Sequence, residues 1–453
     1  VLKDSSFRNL WTAQTVSLFG TQASVVIIPL LALDTLDASA FEMGLLGSAE
    51  SLAVLLLGLW VGMTADRYPR RSVMVTANVL RLLLIGLIPV AYALDMLSIP
   101  VLFVAVFLVG ALTLLYDSAL SSHVVMTFDR RQLPKINSYM EGSTAVSEVA
   151  GPGLGGILVQ ALGAPLALLA DLCSYVASTV LLLRSGGGGK KGTAGASRAD
   201  AGQAGTGQGD TRQGDPGQED SVEAEKEDAG EAGAEQESVK GALSGFTWAF
   251  SHPVLRPVIV SAAHFNFFTA MFFAVYTFYV VKELGFSPLL VGLASAAGGL
   301  GGVLSATAAS SFMSKVRTRL LYVLSLVVPT VGAFLVPGSE LLDSSLPQFL
   351  SVAAGMFLWS FAIVVNLVMS ETIKQMVTPA HMIGQVTSAM RFTTLGFEPV
   401  GAIVGGTVSQ FLSPTAALVI AGCGLATSIA WVAFNRHLGT YDVNEEETPV
   451  GAT

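Results

Sequence analysis

The chain is a succession of stretches about 20 residues long that hold almost no charge. Twelve can be marked off, over residues 10–33, 42–64, 72–94, 98–122, 136–160, 163–184, 254–281, 288–312, 319–338, 347–370, 383–410 and 413–435. A helix rises about 1.5 Å per residue, so each stretch can cross a hydrocarbon layer of roughly 30 Å. In lipid every backbone N–H and C=O must be satisfied within the protein, which leaves helices or closed barrels, and barrel strands are about half this length. The fold expected is therefore an all-α membrane protein with twelve transmembrane helices. Composition agrees: 52% of the 453 residues are hydrophobic and 13% are charged, about half the charge of a soluble domain. The first apolar run has no clear small-residue cleavage site after it and reads as a retained helix, not a signal peptide.

Charge sets the expected orientation. Lys3 and Arg8, then Arg67, Arg70 and Arg71, then Arg130, Arg131 and Lys135 fall on one side of the twelve runs. Arg184, Lys190, Lys191, Lys315, Arg317, Arg319, Lys374 and Arg436 fall on the same side, and Lys282 alone lies opposite. Basic loops stay in the cytoplasm. This predicts a multi-pass protein of the cell (inner) membrane with both termini cytoplasmic. The net charge of -9 says little about partners, because residues 186–240 hold 12 acidic and 6 basic residues and the last residues add more acid. That Gly/Ala/Gln/Glu-rich tract has too little apolar side chain to fold alone and reads as a disordered cytoplasmic linker. Residues 242–250 after it read as a short amphipathic helix at the membrane surface. Cys173 and Cys423 each lie in an apolar run, with no disulfide or zinc spacing.

The two sides of the linker look related. Met43-Gly44-Leu45 matches Val291-Gly292-Leu293 at an offset of 248, as Arg71 matches Arg319, and Pro152 matches Pro399 at 247. On that alignment Gly151 falls opposite Glu398. Two pseudo-symmetric six-helix bundles follow, over 1–185 and 241–438, with a cytoplasmic tail at 439–453. Such repeats place a binding site between the halves near the midplane.

After the second run the chain reads Gly62-Met63-Thr64-Ala65-Asp66-Arg67-Tyr68-Pro69-Arg70-Arg71, and the fifth contains Gly151-Pro152-Gly153-Leu154-Gly155-Gly156. The first resembles the signature loop of the major facilitator superfamily, and the second resembles the antiporter motif of its drug:proton exporters. Ser147 departs from the latter, standing where the motif has an earlier Gly. Gln14 with Ser17 and Gly20, Asp171-Leu172-Cys173-Ser174-Tyr175, Gly245-Phe246-Thr247-Trp248 and the run from Arg391 to Gly406 are similar to the macrolide-efflux and enterobactin-exporter branch. The resemblance implies a conformational latch at Gly62, Asp66, Arg67, Arg70 and Arg71, which Asp117 can join. It implies an exchanger motif at Gly151, Pro152, Gly155 and Gly156, and a cavity lined by the first, fourth, seventh and tenth runs. Gln14, Gln22, His264, Asn266, Trp359 and Asn366 are the polar or aromatic groups there. His264 is equally readable as a helix-to-helix hydrogen bonder.

Charges inside a span cost about 2.5–3.5 kcal/mol each at the centre and are kept for a reason. Arg81 and Asp117 lie at similar depths on adjacent antiparallel runs and are expected to pair structurally. Glu50, Glu148 and Glu398 fall in runs that the resemblance places between the halves. A buried carboxylate without a fixed partner can take a proton on one side and release it on the other, so these three are the proton-coupling candidates, with Arg391 as a switching partner. Pro152 removes a backbone donor, and Gly151, Gly155 and Gly156 permit close helix approach. Gly186–Gly189 before Lys190 lacks the Ser/Thr and helix of a phosphate-binding loop, and no catalytic constellation occurs. The expectation is a monomeric, non-enzymatic secondary transporter in the lipid bilayer. It would use neither ATP nor a cofactor, bind no nucleic acid, and export a hydrophobic or amphipathic small molecule against protons. A nutrient importer on the same fold, or a non-transporting receptor or scaffold, are the alternatives.

Overall fold

A computed structural model describes residues 4–128, 131–184, 245–379 and 382–435. The tract at 186–240, the tail at 439–453 and residues 242–244 lie outside them.

The first half holds α1 (Ser5–Thr35), α2 (Ala40–Arg67), α3 (Arg70–Ala93), α4 (Ile99–Thr127), α5 (Leu133–Leu162) and α6 (Ala164–Arg184). The second holds α7 (Leu255–Phe278), continued by a π-turn at Tyr279–Glu283, then α8 (Pro288–Lys315), α9 (Thr318–Gly338) and α10 (Ser345–Val377). It ends with α11 (Ile383–Leu395), α12 (Glu398–Phe411) and α13 (Pro414–Ala433). Among the described residues eleven helices are long and apolar enough to cross a membrane. The twelfth crossing is α11 and α12 together, read from sequence as one run over 383–410. Pro399 explains the break: it cannot donate to the preceding turn, so a new helix starts there with Pro in its first turn.

Local chemistry sets the ends. Ser39 and Glu42 form a reciprocal capping box at the start of α2. Ser287 and Ser413 cap α8 and α13, each followed by Pro in the first turn. Leu83, Leu87, Val90, Leu94, Leu320, Leu324 and Val331 point outward and are exposed, as lipid-facing side chains must be.

Within the first half α1 packs on α5 and α6, α3 on α4 and α6, and α2 on α4. The second half repeats this: α7 packs on α12 and α13, α9 on α10 and α13, and α8 on α10. Arg71 donates through Nη2 to the Leu182 and Leu183 carbonyls at 3.0 and 2.7 Å. Arg319 donates to the Ala433 carbonyl. Each ties the start of its half's third crossing to the last carbonyls of its sixth, which a helix leaves unpaired. A helical segment over 245–251 precedes α7, and its Gly245 abuts the Gln385 backbone at the start of α11.

Candidate functional site

The halves touch chiefly along two crossings, α5 on α8 and α2 on α12, and α2 also packs on α7. The two crossings are made of bare backbone. A Cβ placed on Gly156 would stand 2.5 Å from the Pro288 carbonyl oxygen, and one on Gly292 would stand 2.6 Å from that of Pro152. The other crossing repeats the pattern, with Gly44 at 2.6 Å from the Ala402 oxygen and Gly406 at 2.7 Å from that of Ala40. These contacts fix the internal alignment. The offset is 248 for α2 onto α8 (40 to 288, 44 to 292) but 250 for α5 onto α12 (152 to 402, 156 to 406). The sequence alignment of Pro152 with Pro399 is thereby corrected. Gly151 corresponds to Gly401, and Glu148 corresponds to Glu398. The antiporter-like glycines divide their work: Gly151 and Gly155 lie against Gln22 and Ala23 of α1, and Gly156 against α8.

Both crossings lie toward the end of the bundle away from the first residues of α1. Gly44 is four residues into α2 and Gly156 six residues from the end of α5, so each is about 6–9 Å from that end. An ion pair between the halves closes the same end, Lys282 Nζ to Asp37 Oδ1 at 3.6 Å. Toward the other end Val125, Met126, Met376, Arg391 and Phe392 are exposed. The contacts between the halves thus close one mouth of the interface.

Carboxylates sit near its middle. Glu398 opens α12, where the helix dipole favours negative charge, and accepts from Ser51 Oγ of α2 at 3.1 Å across the interface. Glu148, its counterpart on α5, is exposed, and its backbone meets Gly299 of α8. Glu50 turns into the first half, its stem packed on Gly110 of α4. Arg391 forms no ion pair among the described residues.

The signature segment is the last turn of α2, with only Tyr68 and Pro69 between it and α3. The side chains of Gly62–Arg67 lie outside the described residues. Of the remaining latch residues, Arg71 is spent on α6, and among the described residues Asp117 is exposed with no ion pair and Arg70 Nε is buried with no partner.

Several expected cavity groups make hydrogen bonds or ring contacts between helices. His264 Nε2 contacts the Gly424 carbonyl at 2.9 Å, and Asn366 donates to Ser325 Oγ at 2.9 Å. Trp359 is buried against Phe265, Phe272 and Phe273. Asn266 donates to the Thr394 carbonyl at 3.2 Å, beside the α11–α12 break that frees carbonyls. A polar group without water must find such a partner. Gln14 is buried with Oε1 unpaired, and Gln22 packs under Gly151. The expected Arg81–Asp117 ion pair is absent: Arg81 bonds to Asn78 and Thr113. Asp171 was not singled out from sequence as a site residue. The periodicity that marks it is a polar face on α6, Asp171, Ser174, Tyr175 and Ser178, at helical spacing.

The sequence pattern of the Major Facilitator Superfamily matches residues 10–397. The chain belongs to this superfamily. Relatives within it include the multidrug efflux pump Tap of Mycolicibacterium fortuitum, 26% identical over 86% of both chains. An uncharacterized MFS-type transporter of Bacillus subtilis, YfiS, is 27% identical over 38% of this chain and 40% of its own. Among solved structures, a bacterial homologue of the iron transporter ferroportin in an inward-facing state superposes with a TM-score of 0.65 at 16% identity. It covers 94% of this chain and 98% of its own. The nucleoside transporter NupG gives 0.62 at 12% identity, over 94% and 99%. These superpositions speak to the fold, and members of this superfamily with unlike cargoes share it.

Proposed function

We propose that this major facilitator transporter exports hydrophobic or amphipathic small molecules, such as an antibiotic or a siderophore, in exchange for protons. The observation that carries the reading is the pair of pseudo-symmetric carboxylates, Glu148 and Glu398, placed midway along the interface of the halves. A rocking motion exposes that level to each side in turn, which is what proton exchange needs. The likeness to Tap over most of both chains supports the direction. So does the antiporter-like run, whose glycines lie on both α1 and α8 and so couple the cavity wall to the moving interface.

The excess of Lys and Arg in the loops supports a cytoplasmic position for both termini. On that reading the sealed mouth faces outward, as in the state from which an exporter loads. Small apolar cargo can also enter from the inner leaflet. The latch at Asp66, Arg67 and Arg70 is assigned to the opposite state, in which the inner mouth is closed.

The test is accumulation of ethidium, erythromycin and a catecholate siderophore in cells with and without the protein. At least one probe accumulates less when the protein is present, and a protonophore abolishes the difference. Higher accumulation with the protein would establish the importer reading instead. The coupling assignment fails if Glu50→Gln, Glu148→Gln and Glu398→Gln each leave gradient-driven efflux unchanged.

A further inference from the structure

The first half contains a buried cluster with a carboxylate and a guanidinium that is missing at the equivalent described positions of the second half. Asp171 of α6 is 1% exposed. Its carboxylate accepts from Ser24 Oγ of α1 at 2.7 Å and from Ser174 Oγ at 3.2 Å. One turn along the same face is Tyr175, whose hydroxyl lies 3.2 Å from Thr21 Oγ1 of α1. The Tyr175 ring lies 5.1 Å from the guanidinium carbon of Arg81, and the Tyr116 ring of α4 lies 4.6 Å from it. Arg81, itself buried, donates to Asn78 Oδ1 at 2.8 Å and to Thr113 Oγ1 at 3.4 Å. Arg81 and Tyr175 are the charged and titratable groups that face Asp171, and α1 presents hydroxyls there. Asp117 of α4 is a second carboxylate within the field of Arg81.

Three observations argue that this cluster does more than hold helices together. A buried carboxylate and a buried guanidinium that do not touch are a costly way to pack a bundle. The second half does without them. Its equivalent positions, at the offsets of 248 (71 to 319) and 251 (182 to 433) set by the two arginine caps, are Pro329 for Arg81, Gly422 for Asp171 and Ala426 for Tyr175. There the Phe334 ring closes over Gly422, 3.0 Å from where a Cβ would stand. Finally, Arg81 lies against two aromatic faces, which attract a cation whether or not its counter-ion is charged. That suits a site whose carboxylate alternates between charged and neutral.

We propose that Asp171 binds and releases a proton during the transport cycle, separately from the interface carboxylates, and that Arg81 positions it. This rests on the proton-coupled reading above. A proton from the outer aqueous phase bonds to a carboxylate oxygen and later leaves to the cytoplasm; no other bond changes. With the proton bound, the Arg81–Asp171 pair carries one net positive charge, facing Tyr116 and Tyr175. With the proton released the pair is neutral. The change is felt by α1 through Ser24, and α1 is the helix on which Gly151 and Gly155 rest.

The test uses the purified full chain in proteoliposomes. Infrared difference spectra between acid and alkaline media should show a protonated-carboxyl carbonyl band that is missing in Asp171→Asn, a substitution that keeps the size and the serine contacts. Ethidium exchange without a gradient should continue in this variant, which also shows that it folds. Ethidium efflux driven by an imposed proton gradient should fall by at least about tenfold. An unchanged band, or unchanged driven efflux, overturns the proposal. If Asp171→Asn does not fold, Asp171→Glu must shift the pH profile of driven efflux, and an unshifted profile overturns the proposal as well. Wild-type vesicles that respond to no gradient would instead sink the proton-coupled reading, while the infrared band still reports on Asp171.

Discussion

The region between α3, α4 and α6 and its counterpart between α9, α10 and α13 have the same helix packing and opposite chemistry. The first is built around Arg81, Asn78, Asp171, Tyr116 and Tyr175. The second is closed by Leu326, Pro329 and Gly422, with Phe334 covering Gly422 from the exposed side, and its polar groups are neutral: Tyr322 with Ser370 and Asn366 with Ser325. Apolar packing with neutral hydrogen bonds between helices is therefore enough to hold this arrangement, without a buried carboxylate and guanidinium at its centre. The interface between the halves teaches the reverse lesson. There the geometry is kept on both sides, down to which carbonyl faces which glycine. Where the halves move against each other symmetry has been retained, and where each half is solid it has been free to drift.

The comparison can be broken most directly at Arg81. Arg81→Leu strands the Asp171 carboxylate in a dry core and should cost about 3–5 kcal/mol of stability. Adding Asp171→Asn should recover most of that loss. Leu326→Met in the second half should cost less than about 1.5 kcal/mol. Thermal unfolding of the detergent-purified proteins measures all of these, and an Arg81→Leu no worse than Leu326→Met would refute the contrast. Next in size are the crossings. Gly156→Val and Gly406→Val should each destabilise the sealed mouth by about 1–3 kcal/mol through overpacking. Spin-label distances across that mouth should lengthen equally in both, whereas Gly153→Ala, with only Ala296 at 3.8 Å, should leave them unchanged. The helix caps sharpen the symmetric side of the comparison. Arg71→Ala and Arg319→Ala should each loosen the last turn of α6 or α13 by about 1 kcal/mol, read by hydrogen exchange. The smallest effect belongs to Lys282→Ala, below about 1 kcal/mol because the pair is solvent-exposed and screened.

Much of the fold was legible because lipid leaves a chain few options. The apolar runs and the basic loops each announce a helix or its end. The interruption of the eleventh crossing was less legible. Gly396 and Pro399 mark it, but Pro152 and Pro329 sit inside unbroken helices, so proline alone does not decide. The misplaced alignment of Pro152 has the same root, since backbone contacts, not proline positions, define the equivalence. Polar residues on membrane helices were harder still. His264, Asn266 and Asn366 look like cavity groups until their partners are known, and those partners are mostly carbonyls and hydroxyls far away in sequence. Asp171 shows the opposite case, a candidate whose helical polar face was present in the sequence but whose partner Ser24 on α1 was not.

The bare-backbone crossings carry a consequence for how this molecule can be stopped. At Gly44, Gly156, Gly292 and Gly406 the backbones of the two halves meet directly, with no room even for a methyl group between them. A contact of that kind tolerates no grit. An inhibitor need not compete for the cargo pocket; a thin apolar wedge lodged from the lipid at these crossings, little thicker than a methyl group, would hold the sealed mouth ajar.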